Sequence, residues 1–170
     1  MSKFKLFGII MMFTMSMFFT SCSDDGNDTP NTETINELLE GEWFLVKAYD
    51  SFEENTITWD YENQTTYGID SDGRNQNPVK ARIEKIRENE YYIYNYTYSG
   101  SWRRTSIQEA ILNGNILSEE SYDEDGLSGT SKTYISTLTE STLVIETDVV
   151  ASYRGVSYSW KAVQTYRRNN

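Results

Sequence analysis

The sequence has no histidine, one cysteine and two prolines in its 170 residues, and these shortages exclude several classes of protein. Without histidine there is no Ser-His-Asp triad, no HExxH zinc helix and no imidazole that titrates near neutral pH. A single cysteine excludes an internal disulfide and every zinc or redox site built from CxxC pairs. The scarcity of proline suits extended strands, because proline removes a hydrogen bond from a β-ladder.

Basic residues are also scarce relative to acidic ones, with 15 Lys and Arg against 26 Asp and Glu and a net charge of −11. Sequence-independent nucleic-acid binding needs a basic face that displaces counterions from phosphates, so no nucleic-acid partner is expected. The length fits one globular domain, since a chain of roughly 150 residues buries close to 70% of its unfolded surface.

The N-terminal segment 1–21 has the organisation of an export signal. Lys3 and Lys5 precede an uncharged run of 14 residues, 6–19. That run has the size of a signal-peptide apolar region and falls short of the roughly 20 residues that span a bilayer. We therefore expect residues 1–21 to be removed on export.

The only cysteine, Cys22, stands directly after this segment and behind the small residues Thr20 and Ser21. The arrangement resembles a bacterial lipoprotein signal with its lipobox, although Phe19 occupies a position where Leu is usual. The resemblance implies lipidation of Cys22, which would anchor the chain to a membrane through acyl chains. The alternative is an ordinary signal peptide followed by a free thiol.

Residues 22–36 are predicted to form a lipid-anchored, disordered acidic tether, because 23–34 contain no apolar residue beyond one proline. The Ser-Asp-Asp start of this stretch resembles the acidic export signal of Bacteroidetes lipoproteins that reach the outer face of the outer membrane. We therefore expect the protein to lie on the cell-surface side of the outer membrane. A plain solvated spacer and the periplasmic face are the alternatives.

Residues 37–170 are predicted to form one antiparallel β-domain of about eight strands. Only 34–39 has helical character, with Thr34 followed three residues later by Glu37 in a capping-box spacing. Asn113-Gly114 and Arg154-Gly155 are predicted two-residue hairpin loops. The pattern fits an up-and-down barrel, with a β-sandwich as the alternative. The predicted strands are 42–50, 55–61, 79–88, 90–98, 105–112, 115–122, 131–138, 142–152 and 156–168.

The two ends of this domain resemble a lipocalin. The first strand opens with Gly41-Glu42-Trp43, which is similar to the Gly-x-Trp start of lipocalin-like domains in Bacteroidetes lipoproteins, and the last strand carries Arg167 and Arg168. The resemblance implies a lipocalin-like barrel in which Trp43 closes the base and Arg167 or Arg168 packs across it. It implies a fold and leaves function open.

The tyrosine-rich run 90–98 is the most unusual stretch. Period-two alternation places Tyr92, Tyr94, Tyr96 and Tyr98 on one face. These tyrosines are the candidate ligand-binding residues, together with Trp160 in the last strand, because aromatic rings supply flat apolar area with a polar tip. The alternative is that these tyrosines pack against residues of the neighbouring strands, as aromatic residues do in an ordinary sheet. Which face points into the barrel is left open.

Metal and catalytic sites are not expected. Acidic clusters at 70–73 and 123–126 fail as EF-hand loops, because the twelfth positions are Ala81 and Tyr134 instead of Glu. Glu84, Glu109 and Glu146 are carboxylates of the kind a glycosidase pairs, but no spacing separates them from the other acidic residues.

The expected function is therefore that of a lipid-anchored, non-catalytic binding lipoprotein. It is expected to have no cofactor and to be a monomer, and to hold a small apolar or amphipathic ligand in the barrel. The alternative is a filled barrel that recognises a glycan or a protein through its tyrosine face. The size of the side chains inside the barrel distinguishes the two, because large ones fill it and small ones leave a cavity.

Overall fold

The structure is a computed structural model that describes residues 30–60, 62, 68–69, 73, 75–76, 79–124 and 127–169. Within these ranges, one short helix, α1 (Thr32–Leu38), precedes an almost continuous series of strands. The strands are β1 (Gly41–Asp50), β2 (Asn55–Trp59), β3 (Gly68–Ile69), β4 (Asn75–Gln76), β5 (Val79–Arg87), β6 (Glu90–Tyr98), β7 (Trp102–Ile111), β8 (Ile116–Glu124), β9 (Leu127–Leu138), β10 (Thr142–Tyr153) and β11 (Val156–Arg168).

Helix α1 begins earlier than the sequence pattern predicts. Its N-cap is Asn31, whose side chain accepts a hydrogen bond from the Thr34 backbone N–H at 2.9 Å, so Thr34 lies inside the helix. Asn and Thr are both good N-cap residues, so the sequence does not decide between Asn31 and Thr34 as the start of the helix. Ile35 is fully buried in the core. Helix α1 thus starts inside the predicted tether stretch 22–36, and its residue Ile35 belongs to the core.

Antiparallel pairing joins all eleven strands into one sheet. Each of the series β5–β6–β7 and β8–β9–β10–β11 pairs in chain order. Strand β1 connects the two series, because it pairs along one edge with β11 and along the other with β5 and β2. The prediction of an all-β, up-and-down barrel behind a short helix is confirmed by this pairing. A sandwich would require two separate sheets.

The barrel is open on one side, between β7 and β8. These strands are joined by a tight turn in which Asn113 pairs with Ile116 through two backbone hydrogen bonds of 3.0 and 3.2 Å. Beyond that bridge, no ladder links β7 to β8 in the part of the chain that the structure describes. The two turn residues are Gly114 and Asn115, one position later than predicted, because Gly114 supplies the positive φ of +59°. The predicted turn at Arg154-Gly155 is confirmed.

The hydrophobic core lies at the end of the barrel that α1 covers. Strand β10 buries residues of one face, among them Leu143, Val149 and Ala151, as the period-two alternation of a strand requires. Strand β11 is less buried at its start, where Val156 is 53% exposed. Its hairpin with β10 projects beyond the core. The main core cluster consists of Ile35, Leu39, Trp43, Leu45, Trp59, Ala81, Ile83, Tyr91, Leu112, Ile135, Leu138, Leu143 and Tyr166.

Candidate ligand-binding cavity

A cavity of about 680 Å³ occupies the inside of the barrel above the core. Nine of the eleven strands contribute to its wall, from β1 and β2 through β5–β11. Many of the inward residues are small, such as Ala48, Ala81, Ser106 and Ala162. Small side chains on facing strands leave space that large ones would fill, which explains why this barrel is not packed to its centre.

The cavity has an apolar base. Side chains of Leu39, Ile83, Leu112 and Leu143 form the part nearest to α1, and the Tyr166 ring lies beside them. Burial raises the pKa of the Tyr166 phenol above its ordinary value, so this hydroxyl stays protonated. It donates a hydrogen bond to Gln164 Oε1 at 3.2 Å. An apolar ligand or acyl chain would meet hydrocarbon on several sides here.

Polar side chains line the part of the cavity farther from the helix. Asn95 donates a hydrogen bond to Ser106 Oγ at 3.0 Å across β6 and β7. On the opposite wall, the hydroxyls of Thr133 and Thr147 are 3.0 Å apart. The cavity is therefore amphipathic, with hydrocarbon at the base and hydrogen-bonding groups toward the open end.

The tyrosine face of β6 points away from this cavity. Ile93, Asn95 and Thr97 line the cavity, so the even-numbered positions face outward. On that outer face Tyr92 and Tyr94 have ring centroids 6.2 Å apart. Tyr92, Tyr94, Tyr96 and Tyr98 thus lie on the outer surface, which answers the register question that the sequence left open.

The outer face also holds an aromatic cage around a lysine, which sequence reasoning missed. Lys80 Nζ lies 5.6–5.8 Å from the ring centroids of Phe44, Tyr96 and Trp102. It also forms a 2.8 Å ion pair with Glu42 Oε2, and this hydrogen bond is the main cause that lowers the pKa of Glu42. The cage is occupied by the protein's own cation and is structural.

Trp160 lies on the same side of β11 as Ala162, Gln164 and Tyr166, above the cavity wall. Its ring centroid is 5.4 Å from that of Phe52, which sits in the turn after β1. The Trp160 indole Nε1 is buried and has no hydrogen-bond partner among the residues that the structure describes. Trp160 therefore lies at the open end and does not itself line the cavity.

The residues predicted to close the barrel meet at its base. The buried Trp43 is paired with Arg168 in the β1–β11 ladder, and the Arg168 guanidinium carbon lies 4.3 Å from the Trp43 ring centroid. Gly41 has a φ of +142°, and a Cβ there would meet Arg168 Nη1. Arg167 points to the other side of β11, where it is exposed and forms an ion pair with Glu62. Arg168, not Arg167, thus packs across Trp43.

The three glutamates considered for hydrolysis do not converge. Glu84 and Glu109 flank Tyr92 on the outer face, each opposite that residue in the β5–β6 and β6–β7 ladders. Glu146 lies on β10, across the barrel, where it forms a 2.6 Å ion pair with Lys161. Among the described residues there is no group of three or more His, Cys, Asp or Glu side chains placed to hold a metal ion.

Cys22 lies outside the described residues, as do the predicted signal segment and most of the tether. Within the described ranges, no helix has the length and apolar character to cross a bilayer.

Among solved structures, the chain is similar to the siderocalin Ex-FABP, which is described as functioning through dual ligand specificities. The sequence identity is 15% and the TM-score 0.36, over 77% of this chain and 74% of that one. No family model matches the chain, and no curated protein matches it. At this degree of likeness, the strand pairing described above carries the assignment of the fold.

Proposed function

We propose that this chain is a lipid-anchored, non-catalytic binding protein of the bacterial outer membrane, which holds a small apolar or amphipathic molecule inside its barrel. The observation that carries the proposal is the cavity of about 680 Å³ with its apolar base. Small-molecule sites are commonly clefts of about 300–1,000 Å³ lined mostly by apolar groups with a few polar ones. The cavity has that size and that distribution of groups.

The anchoring part of the proposal is supported by the sequence alone. The positive start, the uncharged run 6–19 and a single cysteine at position 22 follow one another as in a lipoprotein signal. Helix α1 starts ten residues after Cys22, so an acyl anchor on Cys22 would hold the barrel near a membrane. The tether then places the barrel close to the membrane, and under this proposal the barrel lies on the cell-surface side.

The test of cavity binding is a fluorescence titration with N-phenyl-1-naphthylamine, a neutral apolar probe. We would use the full chain carrying Cys22→Ala, so that acyl chains and detergent do not compete for the probe. One probe molecule per chain is expected to bind with micromolar affinity. Two variants, Ala162→Phe and Ala48→Phe, place a phenyl ring in the cavity from adjacent strands.

Either filling variant is expected to weaken probe binding at least about tenfold while the far-ultraviolet circular dichroism spectrum stays unchanged. The matched control is Val150→Phe, because Val150 is exposed on the projecting hairpin and outside the cavity wall. Equal probe binding by the wild type and both filling variants would contradict cavity binding.

A second candidate function is glycan recognition by the outer face of β6 and β7. It is favoured by one observation: Tyr92 and Ile107 are 38% and 47% exposed there, beside the ion pair of Arg82 and Glu84. Flat rings next to charged hydrogen-bonding groups suit a sugar ring. Loss of binding to a glycan array in Tyr92→Ala, with probe binding in the cavity intact, would support this function.

A further inference from the structure

We infer that the cavity holds a ligand that carries a hydrogen-bond-accepting oxygen, such as that of a carbonyl group, and that the side-chain amide of Gln164 donates to this oxygen. This inference rests on the proposed function, because it names the class of ligand for the same cavity. It depends on where Gln164 lies in the wall, on what its amide already contacts and on how much room its neighbours leave.

Gln164 stands on the inner face of the barrel, in β11. The ladders place it opposite Ala48 of β1 and opposite Ile145 of β10, and both of these residues line the cavity with it. Residues that pair directly in a ladder have their side chains on the same face of the sheet. The neighbouring inward positions along β11 are Ala162 and Tyr166. The amide of Gln164 therefore reaches the cavity from a part of the wall whose other side chains are aliphatic or aromatic.

The oxygen of this amide is already engaged within the protein. The hydroxyl of the buried Tyr166 donates a hydrogen bond to Gln164 Oε1 at 3.2 Å. This bond fixes which end of the amide faces the phenol, because an amide NH₂ group does not accept hydrogen bonds. Gln164 Nε2 has no hydrogen-bond partner among the residues that the structure describes. The group that Gln164 offers to a ligand is therefore a donor, and Tyr166 is a positioning residue for it.

The neighbours of Gln164 leave room for a ligand beside this donor. Ala48 on the adjacent strand and Ala162 two positions along β11 each have only a methyl group. Gln164 itself is half-buried and lines the cavity. A ligand that covers the donor without offering an acceptor takes away its hydrogen bond to water, which is unfavourable. A ligand with an oxygen at this point restores the hydrogen bond, while its apolar part meets the hydrocarbon of the base.

The other polar side chains of the wall do not present a donor that is held in this way. Asn95 and Ser106 are hydrogen-bonded to each other, as are Thr133 and Thr147. Gln108 on β7 lines the cavity as well, opposite Ile93 in the β6–β7 ladder, but no hydrogen bond within the described part of the chain orients its amide. Gln108 therefore serves as the matched control for Gln164.

The test compares 2-acetylnaphthalene with 2-isopropenylnaphthalene, in which a CH₂ group replaces the carbonyl oxygen. Each ligand would displace N-phenyl-1-naphthylamine from the full chain carrying Cys22→Ala. The same titrations would use that chain with Gln164→Met, because methionine has a similar length and no donor. The ketone-to-hydrocarbon affinity ratio is expected to fall about fivefold in Gln164→Met. Gln108→Met is expected to keep the ratio.

Infrared spectroscopy of the ketone, isotope-labelled at its carbonyl carbon, reports on the hydrogen bond itself. In excess protein the carbonyl band is expected at lower wavenumber than in hexane, because a hydrogen bond weakens the carbonyl bond. Gln164→Met is expected to return the band to its position in hexane. Tyr166→Phe keeps the ring in the core and releases Gln164 Oε1, so it is expected to broaden the band. A merely structural role of Tyr166 would leave the band unchanged.

Three results would overturn the role of Gln164 and leave cavity binding in place. They are a hexane-like carbonyl band in the wild type, an unchanged affinity ratio in Gln164→Met, and an equal fall of the ratio in Gln108→Met. In each of them the hydrocarbon ligand and N-phenyl-1-naphthylamine still bind. If neither ligand binds and N-phenyl-1-naphthylamine does not bind, the proposed function itself fails.

Discussion

Arg168 lies over Trp43, with its guanidinium carbon 4.3 Å from the indole ring centroid, and this contact joins the last strand to the first. The Trp43 Nε1–H donates to the Leu39 carbonyl at 3.0 Å. Arg168 donates to the carbonyl oxygens of Glu40 at 2.7 Å and Glu140 at 2.6 Å, and also to that of Leu38. One residue pair therefore fixes the helix end, the start of β1 and the β9–β10 turn to the closed base of the barrel.

Trp43→Ala is expected to lower the free energy of unfolding by about 3–5 kcal/mol, because it removes a fully buried indole from the core and leaves a void. Urea unfolding followed by circular dichroism measures the loss. The control is Trp102→Ala, which removes an indole from the outer face and is expected to cost less. A Trp43→Ala loss below about 1 kcal/mol would show that the base is not packed as described.

Arg168→Lys is expected to lower the unfolding free energy by about 1–3 kcal/mol, since an ammonium cannot reproduce the planar fork that reaches three carbonyls and covers the indole. Arg167→Lys is the matched control. Its side chain is exposed on the opposite side of β11, so a change within about 0.5 kcal/mol is expected. If both substitutions had the same effect in thermal or urea unfolding, the special position of Arg168 would be contradicted.

Glu146 provides a prediction about acid stability. The hydrogen bond from Lys161 is the main cause that lowers the pKa of Glu146 below its ordinary value, and Ser136 and Tyr134 add to it. A folded-state pKa below the unfolded one stabilises the protein at pH above the unfolded value, near 4.3, and this contribution is lost as pH falls through the folded pKa.

Glu146→Gln is therefore expected to be less stable than the wild type at pH 7 and to approach it as pH falls below 4. Urea midpoints at several pH values measure the difference. Glu88→Gln, at an exposed turn position, is expected to follow the wild type throughout. A constant gap between Glu146→Gln and the wild type from pH 7 to pH 3 would contradict the role of the ion pair.

Cys22→Ala is expected to move the protein from the membrane fraction to the soluble fraction, because the acyl anchor has no other predicted attachment point. Immunoblotting of fractionated cells measures the distribution, with Ser23→Ala as a control that keeps the thiol. A variant that stays with the membranes would refute the lipoprotein assignment.

Most strand bounds could be predicted to within two residues, because alternation and turn residues are local signals, but β7 and β9 begin three and four residues before their predicted starts. Strand β6 has the predicted bounds, and β10 and β11 differ from theirs by at most one residue. The inward face of β6 could not be predicted, because Tyr91 and Ile93 on one face are as apolar as Tyr92 and Tyr94 on the other. Burial of Tyr91 is decided by its neighbours, including α1, where Asn36 Oδ1 accepts from its hydroxyl at 2.8 Å.

The candidate site was less predictable than the fold. The cavity results from small inward residues on strands far apart in the chain, such as Ala48 and Ala162, and no local pattern marks their proximity. The opening exists because, among the described residues, no ladder joins β7 to β8 beyond the Asn113–Ile116 bridge. Only the observed strand pairing shows this. Strand alternation could in principle have identified Arg168, and not Arg167, as the arginine that packs against Trp43. Tyr166 is buried, and alternation places Arg168 on the same face of β11.

The central claim is that the barrel holds a small molecule, and native mass spectrometry tests it most directly. The full chain carrying Cys22→Ala would be exposed to lysate from its native host, alongside the same chain with Ala162→Phe added. We predict one discrete added mass per chain, which disappears on denaturation and is absent from the Ala162→Phe protein. A bare chain mass, or an added mass that the filling variant retains, would contradict binding inside the barrel.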